Sequence, residues 1–112
     1  MGADLYINKL EGFRTDDNVG YFRDAYNDSS VLNKLGLSWW QDVAPMRGDG
    51  GDMSVEKAKS FLELIKSKKS VLLSNIEGES KENKNWFQNH YNELKSFLEK
   101  AIKLKSSIGC SL

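Results

Sequence analysis

The segment WFQNHYNELKSFLEKAIKLK, residues 86–105, has the most regular hydrophobic pattern in the chain. Its apolar positions recur at alternating steps of four and three residues, as expected for a helix that packs one face on a core. The stripe consists of Phe87, Tyr91, Leu94, Leu98 and Ala101, and it is widened by Trp86, Phe97 and Ile102. The pattern predicts a long amphipathic helix whose apolar face is explained by packing alone.

Four shorter segments upstream also show helical features. Val19, Phe22 and Tyr26 fall at helical spacing, and the polar run 27–30 offers N-caps for a second helix that ends near Gly36. Ser38 is a predicted cap for a short helix that Pro45 ends, and Ser54 for a longer one through Ile65. A polar run at 66–70 is expected to kink or interrupt that helix before residues 71–76. The Gly-rich stretch 45–53 is predicted to be an exposed loop, as are residues 11–18.

These patterns predict a single helical domain, residues 1–112, of the mainly α class with four to five helices. A short two-stranded β element that pairs residues 3–7 with the tail 108–112 remains open, because both segments alternate apolar and polar residues. A domain of this size has a thin margin of stability, so assembly into a homo-oligomer would add useful buried area.

Composition limits the classes of function. Apolar residues make up 39% and charged residues 29% of the 112 residues, which is typical of a folded domain, and no apolar run is long enough to span a membrane. Formal net charge is zero, whereas proteins that bind nucleic acid duplexes are usually basic. Cys110 is the only cysteine, so no internal disulfide can form, and a reducing cytoplasm is expected.

Aromatic residues and arginine are concentrated in the front half of the chain. Seven of the twelve aromatic residues lie between Tyr6 and Trp40. Aromatic rings near an arginine can stack on a flat ligand and hold its phosphate or carboxylate, although the same rings can simply fill a core. The predicted ligand-binding residues are Tyr21, Phe22, Arg23, Asp24, Tyr26, Asn27, Trp39, Trp40 and Arg47, with Arg23 and Arg47 as the anion contacts.

Motifs for catalysis and metal binding are weak. His90 is the only histidine and has no cysteine partner at ligand spacing, so a partly exposed helix histidine is the favoured interpretation. The segment 49–56 resembles the end of a calcium loop, but Pro45 and Arg47 would occupy the first ligand positions. The sequence therefore predicts no catalytic residue, metal or cofactor.

Three blocks are similar to a family of small uncharacterised proteins of bacteria and their phages. They are MGADLYI at 1–7, YFRDAYN at 21–27 and LGLSWW at 35–40. The resemblance implies that the front half is special, and it brings no established activity. For a phage-encoded chain it would suit a role in sequestering a host signal or blocking a host defence protein.

The leading hypothesis is a non-catalytic binding protein that takes a small anionic or nucleotide-like molecule in an aromatic pocket with arginine. The alternative is a protein–protein interaction module or inhibitor that uses the same aromatic face on a host protein. A small hydrolase that uses Asp24, or Asp49 with Asp52, is the third hypothesis. No membrane partner is expected.

Overall fold

The computed structural model describes residues 2–10 and 20–112. Within these ranges the chain forms a four-stranded antiparallel sheet in the order β2-β1-β4-β3, with helices packed on one face. The strands are β1 (Gly2–Ile7), β2 (Tyr21–Ala25), β3 (Asp52–Met53) and β4 (Ile108–Ser111). The helices are α1 (Val31–Lys34), α2 (Val55–Ser67), α3 (Lys69–Asn75) and α4 (Lys81–Lys103). A π-helical turn at Trp39–Val43 lies between α1 and β3.

The predicted mainly α class was therefore wrong, because the fold is α+β. Residues of the two terminal segments do pair, with Leu5 opposite Cys110 and Ile7 opposite Ile108. That pair of strands, β1 and β4, however, forms only the middle of a four-stranded sheet. β3 comes from the Gly-rich stretch predicted to be a loop, and β2 comes from a segment predicted to be helical. The prediction of loop for residues 11–18, and Val19 itself, lie outside the described residues.

β2 was mistaken for a helix because of one residue. Its inward positions are Phe22 and Asp24, and its exposed central position is Arg23. A strand usually shows apolar residues at alternate positions, and a buried aspartate breaks that alternation in the sequence. The remaining apolar residues, Phe22 and Tyr26, then fall at a spacing that a helix also explains.

The helices follow the local signals more closely. Ser30, Ser54 and Ser80 each accept a hydrogen bond from the backbone N–H three residues ahead, as N-caps do. Gly36 follows α1 with φ of 78°, a conformation that favours glycine. The polar run at 66–70 does interrupt the helix, since α2 ends at Ser67 and α3 begins at Lys69.

The core lies between the covered face of the sheet and the helices. Ala3, Leu5 and Ile7 of β1 are buried against apolar residues of α2 and α4. The opposite face of the sheet carries partly exposed polar and aromatic side chains, including Asp4 and Tyr6. None of the described helices is long and apolar enough to cross a membrane.

Candidate functional site

Strand β2 sends its side chains to two different environments. Phe22 and Asp24 face the interior, whereas Tyr21 and Arg23 lie on the open face of the sheet. The residues that the sequence groups as one aromatic block with arginine are thus separated by the pleat of the strand. This separation decides which of them can share a ligand.

Asp24 is the polar centre of the interior. One carboxylate oxygen, Oδ2, accepts hydrogen bonds from Ser30 Oγ at 2.7 Å, Leu32 N at 3.2 Å and Trp39 Nε1 at 2.8 Å. The other, Oδ1, accepts from Val31 N at 3.0 Å. Its side chain is 0% exposed. Asp24 therefore caps α1 and anchors the π-helical turn through the same carboxylate.

The ionisation of Asp24 is set by two opposing effects. Burial raises the pKa of a carboxyl group, because the charged form loses its water. Hydrogen bonds from His90, Ser30, Trp39 and the Val31 amide stabilise the charged form and outweigh burial, so the pKa of Asp24 lies below its ordinary value. The Asp24 side chain is fully buried, so its carboxylate has no access to bulk solvent.

His90 links α4 to β2. Its Nε2 lies 3.4 Å from Asp24 Oδ1, and its Nδ1 lies 3.6 Å from Oε2 of the exposed Glu93. The ring is stacked between Phe22, at 4.8 Å between centroids, and Trp86, at 4.9 Å. The ring therefore connects α4 to the buried carboxylate of β2.

A groove of about 450 Å³ runs between β2 and α4. We call it the β2–α4 groove. Its apolar floor contains Phe22 and Phe97, whose ring centroids are 6.2 Å apart, and both rings are mostly buried. Polar groups from the two elements stand around this floor. The lining residues are Tyr21, Phe22 and Arg23 from β2, and Glu93, Ser96, Phe97 and Lys100 from α4.

Arg23 is positioned by its neighbours on the open face. Asp4 accepts a hydrogen bond from the Tyr21 hydroxyl and lies 3.4 Å from Arg23 Nη1. Burial, and then the hydrogen bond to Asp4, raise the pKa of Tyr21, while Tyr21 and Asp4 raise the pKa of Arg23. The Arg23 side chain is still 55% exposed, so one ion pair at 3.4 Å leaves most of its donors facing solvent.

A smaller hollow of about 210 Å³ lies on the other side of Asp24. We call it the Trp40 hollow. It is lined by Tyr26, Trp39 and Trp40 with residues of α1 and the turn that follows it. Tyr26 and Trp40 are 5.8 Å apart between ring centroids, and Trp40 is 54% exposed. The Tyr26 hydroxyl is buried and has no hydrogen-bond partner among the described residues.

The predicted site residues thus meet in two places. Tyr21, Phe22 and Arg23 line the groove, and Tyr26, Trp39 and Trp40 line the hollow, with Asp24 in the interior between them.

The other two predicted residues line neither depression. Asn27 shapes the turn before α1 by accepting from Ser29 N at 2.9 Å. The Arg47 side chain donates to the Ala44 carbonyl at 3.4 Å, and the Arg47 backbone forms an isolated antiparallel β-bridge with Met53.

Sequence reasoning missed the contribution of α4 to the groove. Glu93, Ser96, Phe97 and Lys100 stand at steps of three and four residues, which places them in one stripe along the helix. Glu93, Ser96 and Lys100 border the buried face beside Phe97, and polar residues in this position look like ordinary solvated helix surface. His90 is partly exposed on α4, as predicted, whereas its contact with Asp24 depends on the packing of β2 against α4, which no local pattern reveals.

Metal-ligand clusters and similarity to known proteins are two further sources of evidence about a site. Across residues 2–10 and 20–112, no three His, Cys, Asp or Glu side chains cluster closely enough to hold a metal ion. Comparison with protein-family models, curated protein sequences and solved structures found no match. The resemblance of the three sequence blocks to small bacterial and phage proteins stays a prediction.

Proposed function

We propose that this protein is a non-catalytic binding protein, that its binding site is the β2–α4 groove, and that its ligand carries a carboxylate or phosphate group. The observation that supports this is the combination of two exposed cations, Arg23 and Lys100, with an apolar floor in one groove. Glu93 is the only acid among the lining residues, so the described lining has an excess of one positive charge.

The groove offers each part of such a ligand a partner. The Arg23 guanidinium can bind a carboxylate or phosphate through paired hydrogen bonds, and Lys100 adds a point charge from the facing element. The Ser96 hydroxyl supplies a neutral donor and acceptor. Phe22 and Phe97 accept the apolar part of the ligand. Trp39 and Trp40 belong to the separate hollow and are not part of this proposed site.

The cytoplasm is the compartment we propose for this activity. Burial, opposed by Arg47, raises the pKa of the Cys110 thiol to about 11, which keeps it protonated near neutral pH. An unpaired thiol of this kind is compatible with a reducing environment.

NMR titration of the ¹⁵N-labelled protein tests the proposal, with benzoate, adenosine monophosphate and inorganic phosphate as probes. We expect amide shifts at Tyr21, Arg23, Ser96 and Lys100. Arg23→Ala and Lys100→Ala should each weaken binding about tenfold or more, since a charge-assisted hydrogen bond contributes about 1.5–3 kcal/mol.

Lys81→Ala is the matched control, because it removes the same charge from the same helix. Lys81 lies 19 residues before Lys100, which is about 28 Å along the axis at 1.5 Å per residue. The affinity of the Lys81→Ala protein for the three probes should equal that of the wild type. Shifts confined to the Trp40 hollow, or none with any of the three probes, would contradict the proposed site.

A further inference from the structure

Among residues 2–10 and 20–112, the outer edge of β2 presents backbone N–H and C=O groups without hydrogen-bond partners. Among the described strands, β2 lies at the edge of the sheet and pairs with β1 alone. Ile7 N donates to Gly20 O at 2.9 Å, and this register makes Leu5 with Phe22, and Ala3 with Asp24, the hydrogen-bonded pairs. The N–H and C=O groups of the residues between them point away from β1. Those residues are Tyr21, Arg23 and Ala25.

No residue within 2–10 and 20–112 hydrogen-bonds to these three N–H or C=O groups. An edge of this kind is a template for another strand. Arg23 at its centre discourages unspecific pairing, since a charged residue on an edge strand favours some partners and repels others. The chemistry of the neighbouring groups therefore decides which strand fits.

The β2–α4 groove runs along this same edge. Tyr21 and Arg23 are on one face of the sheet and Phe22 is on the other, so a groove that touches all three must follow the strand edge. The facing wall is the α4 stripe from Glu93 to Lys100. The seven helical steps from Glu93 to Lys100 rise about 10.5 Å, which matches about three residues of extended chain at 3.3 Å each.

We propose that the groove binds an extended acidic segment of another protein as an added antiparallel strand on β2. This inference rests on the proposed function for its charged contacts and adds the class of partner. Backbone hydrogen bonds to Tyr21, Arg23 and Ala25 supply affinity, and alternate side chains of the added strand supply specificity.

The side chains of the added strand meet two kinds of surroundings. A residue opposite Arg23 lies on the open face beside the guanidinium, where an acidic side chain is favoured. Its neighbour, opposite Phe22, points toward α4 and the Phe97 ring, where an apolar side chain is favoured. The matching sequence alternates acidic and apolar residues.

A second copy of the chain fits this edge poorly. The antiparallel register that uses all three free residues of both copies places Arg23 opposite the Arg23 of the other copy. Like charges directly opposite each other destabilise a strand pair. A partner with acids at these positions removes that repulsion.

The probe is a synthetic peptide in which glutamate alternates with valine, titrated into the full-length protein and followed by NMR and amide hydrogen exchange. On binding, the amides of Tyr21, Arg23 and Ala25 should become at least tenfold more protected. The amides of Phe22 and Asp24 should change little, because they already bond to β1. A peptide in which lysine replaces glutamate is the charge control and should not bind.

Backbone N-methylation separates strand pairing from charge attraction. The glutamate N–H groups face β2 in the proposed register, so methylating them should weaken binding at least tenfold. Methylating the valine N–H groups, which face away from β2, should leave the affinity unchanged. Arg23→Ala should weaken binding, because its guanidinium lies beside the glutamate of the added strand, and Lys81→Ala should not.

Several outcomes would overturn the inference. Slow exchange of Tyr21, Arg23 and Ala25 in the free monomer would show that the edge is already covered, and protection that rises with protein concentration would make it a self-interface. Equal binding of both methylated peptides would refute strand pairing and leave anion binding intact. Failure of the peptide alone would refute only the inference, whereas failure of the peptide and of all three small probes would refute both proposals.

Discussion

Replacing Asp24 tests the central claim about the interior of this protein. Its carboxylate accepts from Ser30 Oγ, Val31 N, Leu32 N and Trp39 Nε1, all within 3.2 Å. Asp24→Ala removes the acceptor and leaves three buried N–H groups unpaired, while the serine hydroxyl can rotate to another partner. At about 1 kcal/mol for each of the three unpaired N–H groups, two of which are the lost cap of α1, the free energy of unfolding should fall by about 3 kcal/mol.

Asp24→Asn is the sharper variant because it keeps the shape. If the amide oxygen takes the place of Oδ2, the bonds from Ser30, Leu32 and Trp39 survive. The NH₂ group then faces the Val31 N–H at 3.0 Å, so two donors oppose each other. The expected loss is about 2 kcal/mol, which is the cost of one buried unsatisfied donor and the weaker neutral acceptor.

Urea unfolding followed by circular dichroism and tryptophan fluorescence measures both losses. With a slope of about 1–3 kcal/mol/M, the Asp24→Asn midpoint should fall by about 1 M. Asp28→Asn is the control, because Asp28 is an exposed acid in the turn that follows β2, and its effect should stay within about 0.5 kcal/mol. An Asp24→Asn protein as stable as that control would refute the role assigned to this carboxylate.

Three further predictions concern acid, backbone conformation and thiol chemistry. The folded-state pKa of Asp24 is lowered, so its contribution to the free energy of unfolding is complete above the ordinary carboxyl pKa of about 4 and is lost as pH falls through the folded value. Urea midpoints measured from pH 7 to pH 2 should therefore fall more steeply for wild type than for Asp24→Asn. Gly36→Ala should cost about 1–2 kcal/mol in the same urea assay, because φ is 78° and an added Cβ would lie 3.3 Å from Val71 Cγ1; Gly78→Ala, which meets open space, should cost nothing. With a thiol pKa of about 11, Cys110 should be about 1 part in 10⁴ thiolate at pH 7. Iodoacetamide labelling of the folded protein should therefore be at least tenfold slower than that of free cysteine, and equal rates would contradict the burial of this thiol.

The parts of the fold that follow from neighbouring residues could be predicted from the sequence. The long stripe of α4, the Ser54 cap of α2 and the glycine after α1 each depend on residues within a few positions of one another. Helical hydrogen bonds are local, so the groups that decide a helix are all visible in one window of sequence. The same holds for the interruption between α2 and α3.

The sheet could not be predicted in this way. β3 has two residues and β4 has four, and each is a strand only because a partner from a distant part of the chain pairs with it. In β2 the inward aspartate gives the opposite signal to the one that a strand should show. Its burial is tolerable because hydrogen-bond donors from α1, the π-helical turn and α4 converge on it, and this convergence exists only after folding.

For the candidate site, the sequence by itself determined the residue types and where they are concentrated. It marked Tyr21, Phe22 and Arg23 as rings beside a cation, and that chemistry does not depend on the fold. Tertiary structure decided which of the nine predicted residues share a surface. The pleat of β2 turned Arg23 outward and Asp24 inward, and the packing of α4 brought Lys100 to the opposite wall of the groove. Side-chain direction is set by hydrogen bonds to a distant strand, so it is a property of the folded chain.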